Sequence, residues 1–160
     1  MAAMVSSLQN KKVYDPIRKK WVIATPEELV RQKVLNLLTD ELGYPPHAIA
    51  IEKKLSELPH LQQEEVPMRR LDILCYETAT LSPLLLIECK GVPLQEKMLA
   101  QVMGYNAFIK APLICLANDG EFLLGWEGPK RAMTLDRLPS YRELCDETSG
   151  MGETRSSRIS

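Results

Sequence analysis

The chain has 160 residues, 45% of them hydrophobic and 26% charged, with 20 Lys+Arg against 21 Asp+Glu. That balance suits one soluble domain with a core of ordinary size, and it excludes a global positive field; any pull on nucleic acid must come from local patches. Cys75, Cys89, Cys115 and Cys145 form no CxxC pair and lie far in sequence from His47 and His60, which argues against a zinc ribbon.

In chain order, Val13-Tyr14 and Trp21-Val22-Ile23-Ala24 read as a short hairpin around the basic turn Asp15 to Lys20. Thr25-Pro26-Glu27-Glu28 starts a helix, with Thr25 as N-cap, Pro26 at the first position and Glu28 closing a capping box. Its apolar face comprises Leu29, Val30, Val34, Leu37, Leu38 and Leu42, and it ends at Gly43 before Pro45-Pro46. A strand is predicted over 49–53, then a connecting loop over 55–68.

Two apolar strands follow, Leu71 to Tyr76 and Leu84 to Lys90, and a helix runs from Leu94 to Ile109. Strands at 112–117 and 121–126 flank the turn Asn118-Asp119-Gly120, and 139–146 forms a short helix. The order predicts an α/β fold: a mixed sheet flanked by helices, with a right-handed crossover after the Glu88 strand. The domain is expected over 13–146, between a flexible N-terminus (1–12) and a disordered tail (147–160). No apolar run approaches membrane-spanning length and no secretory h-region opens the chain. No membrane partner is expected, and buried free thiols point to the cytoplasm.

The chemistry is expected where charge interrupts the apolar strands. Residues two apart on a strand share a face, so Glu88 and Lys90 point together and Cys89 points away. A hairpin turning near Thr80 sets Asp72 across from Glu88, which gathers two carboxylates and an ammonium in one place. Magnesium, or manganese, takes one or two carboxylates plus waters. Asp72 and Glu88 are the natural ligand pair, with the Cys89 backbone carbonyl beside them. Lys90 can orient water or stabilise charge, which is the layout of a metal-dependent phosphodiesterase. The bland alternative is a cross-strand salt bridge on a solvated face.

Arg70-Leu71-Asp72-Ile73 followed by Ile87-Glu88-Cys89-Lys90-Gly91 resembles the Asp…Glu-x-Lys signature of the PD-(D/E)XK nuclease superfamily. Together with Asp15-Pro16-Ile17-Arg18-Lys19, the capped first helix, Gln101-Val102-Met103-Gly104-Tyr105 and Asn118-Asp119-Gly120, residues 13 to 127 are similar to the N-terminal nuclease domain of type I restriction enzyme R subunits. The resemblance implies a restriction-endonuclease-like fold and magnesium-dependent cleavage of DNA. Asp72 and Glu88 would be ligands, Lys90 would assist the attacking water, and Gln101 would reach toward the site or the DNA backbone. Tyr105 would lie on the same helix face, and Glu28 would be an accessory acid.

Among the basic residues, Arg69 and Arg70 must lie near the site, while Lys19 and Lys20 form a second candidate DNA contact. There is no GxxxxGK[ST] loop, so ATP-driven translocation is not expected of this chain, and a separate motor or specificity subunit or a second copy would be its partner. Two other readings use the same residues: a catalytically idle DNA-binding or assembly module, and a nuclease acting on RNA or branched DNA.

Overall fold

A computed structural model describes residues 11–127 and 137–149. Residues 1–10 of the expected N-terminal segment and the tail beyond 149 lie outside the described residues. A two-stranded antiparallel ribbon, β1 (Lys12–Asp15) and β2 (Lys20–Ile23), precedes helix α1 (Pro26–Asn36). A five-stranded sheet follows in the order β3-β4-β5-β6-β7. Its strands are β3 (Ile49–Ile51), β4 (Ile73–Tyr76), β5 (Pro83–Cys89), β6 (Leu113–Ala117) and β7 (Phe122–Trp126). Helix α2 (Glu96–Ile109) links β5 to β6, the one parallel pair in the sheet. A last helix, α3, spans 141–149.

The sheet separates two apolar layers because its side chains alternate. Ile73, Cys75, Leu85, Ile87, Cys89, Leu113, Cys115 and Ala117 face α1, joined there by Leu138 and Leu144 near α3. Leu74, Leu86, Ile114 and Leu116 face α2 with Val102, Tyr105 and Ile109. This is the mixed α/β fold expected from the order of elements. The central strands carry near-continuous apolar runs because both faces are covered. Among the described residues, no helix is long and apolar enough to cross a membrane.

Several boundaries differ from the sequence reading. The first helix is α-helical only to Asn36 and continues as a π turn over Leu37–Glu41, before Gly43 turns the chain at φ 75°. Leu29 lies off the buried stripe and is 43% exposed. The loop over 55–68 contains two 3₁₀ turns, Leu55–Glu57 and Pro59–Leu61, which bury Leu55, Leu58 and Leu61 in the α2 layer. Leu94 packs on that layer ahead of the helix, which starts at Glu96. β1 already includes Lys12, and α3 continues to 149.

Candidate active site

The charged end of the sheet is built where β4 begins and β5 ends. Ile73 pairs with Ile87 and Leu74 with Leu86, so one further step of the register sets Asp72 opposite Glu88. Asp72 itself precedes β4. Its Oδ2 accepts the Cys89 backbone N–H at 2.7 Å, standing in for the ladder partner that β4 no longer supplies. The Leu71 N–H, next in that register, goes instead to the Lys53 carbonyl at 2.8 Å. The Lys90 N–H donates to Ala117 on β6, and a trans peptide then turns the Cys89 carbonyl the other way, toward Asp72.

The two carboxylates are engaged by different helices. Glu88 projects with Leu86 toward α2, where it is buried and accepts the Tyr105 hydroxyl at 2.6 Å. Arg69 stacks its guanidinium 4.2 Å over the Tyr105 ring and brings Nη2 to 4.0 Å from Glu88. Asp72 turns its Oδ1 toward α1 and accepts from Arg31 Nη2 at 3.0 Å. The expectation that both acids share one strand face with Lys90 therefore needs a correction. Alternation governs Glu88 inside β5, whereas Asp72 sits at a bend before β4 and reaches Arg31 on α1.

Burial is the largest influence on Glu88 and raises its pKa above the ordinary carboxylate value. The Asp72 charge raises it further, against the hydrogen bond from Tyr105 and the cations Lys90 and Arg69. Asp72 and Lys90 thus both lie within electrostatic reach of Glu88. Burial, then the Asp72 charge, pushes the Cys89 thiol up, which fits a small hydrophobe in the α1 layer and no nucleophile.

A buried ion network that the sequence reading missed backs this end of the sheet. Arg31, 4% exposed, bonds Glu28 at 2.8 Å and Glu52 at 3.1 Å as well as Asp72. Arg18 enters from the ribbon turn and binds Asp15 at 2.6 Å, Glu28 at 2.7 Å and Glu52 at 3.4 Å. Burial alone would lower the Arg31 pKa, but Asp72, Glu28 and Glu52 outweigh it and raise it instead. Glu52 follows β3 with φ 51°, a left-handed conformation costing roughly 1–2 kcal/mol in an L-residue. Four acids thus meet two guanidiniums.

Glu28 belongs to this network. The Thr25 hydroxyl accepts the Glu28 N–H at 3.1 Å, as the N-cap reading requires, but the Glu28 carboxylate goes to Arg18, Arg31 and Gln32. Half of the predicted capping box forms; the other half is given up to the ion network. Gln101 is exposed on α2 one turn before Tyr105, and Tyr105 is buried against Glu88 instead of lying open to a nucleic-acid strand. Arg69, Arg70, Lys19 and Lys20 are exposed. Among the described residues, no group of three or more His, Cys, Asp and Glu side chains is arranged to hold a metal ion.

The family model for the type I restriction enzyme R protein N-terminus matches residues 26–139. The chain belongs to that family. The matched span contains Glu28, Asp72, Glu88, Lys90, Gln101 and Tyr105, so the charged end of the sheet falls inside the restriction-enzyme domain, and the β1-β2 ribbon precedes it. Searches of curated proteins and of solved structures found no match.

Proposed function

We propose that this domain hydrolyses DNA phosphodiester bonds with magnesium or manganese held by Asp72 and Glu88, aided by the Cys89 carbonyl. One observation carries the reading: two carboxylates stand opposite each other at the end of an otherwise apolar sheet, with more acids than arginines around them. Burying unbalanced charge is costly, and a cation offsets it. The donor set fits the ion, since magnesium takes a few hard oxygens from protein and keeps several waters. Such a cation, when bound, supplies Lewis-acid polarisation of the phosphate and acidifies a water.

The chain's own groups do the remainder. Arg31 and the Cys89 amide hold the Asp72 carboxylate, and Tyr105 holds that of Glu88. Lys90, whose charge reaches Glu88, would supply positive charge suited to the negative charge that develops on the phosphate oxygens. The buried free thiols Cys75, Cys89 and Cys115 suit a reducing cytoplasm, and a motor or specificity subunit or a second copy would deliver DNA.

A second reading has its own support. Both oxygens of Asp72 already have protein partners, which suits a catalytically idle DNA-binding or assembly module. Titration with Mn²⁺ and plasmid cleavage separate the two. The wild type is expected to bind Mn²⁺ and nick plasmid, with Asp72→Asn and Glu88→Gln losing both. Lys90→Ala is expected to keep its metal while cleavage falls about a hundredfold or more. Cleavage at the wild-type rate in Lys90→Ala overturns its role, and Mn²⁺ affinity indifferent to both acids leaves the idle module.

A further inference from the structure

The β1-β2 ribbon leaves an aromatic face open. Cross-strand pairing sets Tyr14 opposite Trp21 and Lys12 opposite Ile23 on one side of the ribbon. Trp21 is 66% exposed, Ile23 54% and Tyr14 48%, with the two rings edge to face at 5.4 Å. The opposite side carries Val13, Val22, the fully buried Asp15 and its partner Lys20. A ribbon this short gains nothing for its own stability by presenting a tryptophan to water, so the face is open to a ligand.

The surroundings select the ligand. Lys12 shares the ring face, Lys11, Lys19 and Lys20 are exposed elsewhere along the ribbon and its turn, and the ribbon's one acid, Asp15, is occupied by Arg18. Protein-binding patches are depleted in lysine and need roughly 800 Å² per partner, far beyond three side chains. The same turn is locked to the candidate site: Arg18 joins Glu28 and Glu52, and the Glu52 N–H donates to the Asp72 carbonyl at 3.0 Å. A groove of about 440 Å³ between the ribbon and β3 is lined by Arg18, Lys20, Glu52, Lys53 and Arg70 among others. Trp21 lies three residues from Arg18, within roughly 11 Å along the chain.

We propose that this face stacks the bases of unpaired DNA, with the phosphates following the Lys20–Lys53–Arg70 groove toward Asp72. The proposal rests on the nuclease reading and names its substrate: single-stranded or locally opened DNA. Aromatic stacking requires bases with free faces, which a duplex withholds, while the lysines serve any phosphate backbone. The ribbon precedes the span that the family model matches.

Binding without divalent metal tests it, read by anisotropy of a labelled thymidine oligonucleotide of about a dozen nucleotides and of a duplex of equal length. Wild-type protein is expected to favour the single strand, with its tryptophan emission quenched on binding. Trp21→Ala is expected to weaken the single strand about 5- to 100-fold and the duplex less than about twofold, and Trp21→Phe to restore most of the loss. Equal loss on both DNAs, or none on the single strand, overturns the proposal. So does a Trp21→Ala protein that keeps its DNA affinity but loses self-association in sedimentation, which marks a face between copies. Because no cleavage is read, Trp21-dependent discrimination by a protein that never cuts DNA supports this proposal and refutes only the hydrolase reading.

Discussion

The two helices against the charged end of the sheet treat their carboxylates in opposite ways. On the α1 side, Asp15, Glu28, Glu52 and Asp72 are met by guanidinium nitrogens at 2.6 to 3.4 Å. On the α2 side, Glu88 has a neutral phenol at 2.6 Å and its arginine only at 4.0 Å. The titration behaviour follows. Burial raises the Asp15 pKa, but the backbone and side-chain hydrogen bonds of Arg18, with Gln32 and Ile17, more than reverse it. Burial of Glu88 has no such answer, and its pKa stays raised. The α1 side is a finished structural clamp, whereas Glu88 is the acid with most to gain from an added cation.

Breaking the clamp should have the largest effect on folding. Arg31→Leu leaves the half-buried Asp72 without its guanidinium and the buried Glu28 with the Arg18 cation alone, and breaking such a buried pair costs roughly 3–5 kcal/mol. Arg69→Leu, at a half-exposed position beside Glu88, is expected to cost under about 1 kcal/mol. Urea unfolding at constant m-value compares them. Equal losses would mean that the two sides do not differ, and the clamp would be a misnomer.

Asp15→Asn probes the same clamp by charge alone. The folded pKa of Asp15 lies below its ordinary value of 3.8. Its stabilisation is therefore complete above that value and lost as pH falls through the lower folded one. The variant is expected to be about 1.5–3 kcal/mol less stable at neutral pH, with the gap closing in strong acid. Unfolding curves at both pH values check this, and a gap that persists unchanged in acid would assign the loss to packing.

How much of this was legible from the residues depends on how local the cause is. The central strands were readable because Leu84 to Ile87 and Leu113 to Leu116 are apolar on both faces, and Asp72 opposite Glu88 followed from counting around Thr80. The direction of Asp72 was not readable, since alternation stops where β4 does. Nor was the burial of Arg31, which depends on the ribbon and β3 arriving beside α1 from elsewhere in the chain. A signal existed: Arg31 stands three residues after Glu28 and next to Val30, a charge at the edge of the buried stripe. Glu28 misled for the same reason, its capping-box spacing being local and its true partners distant.

The smallest change sharpens the Glu88 side. Tyr105→Phe removes only the hydroxyl 2.6 Å from Glu88 and keeps the ring under Arg69. Stability should fall by about 1 kcal/mol, the worth of one hydrogen bond. If Tyr105 aims Glu88 at a metal, Mn²⁺ affinity should fall about tenfold as well, as when an outer-shell partner of a ligand is lost. Calorimetric titration beside urea unfolding separates these effects. A stability loss with unchanged Mn²⁺ affinity would make Tyr105 a core residue that merely satisfies a buried acid. A loss of affinity would make the α2 side the part of the site that sets how the cation is held.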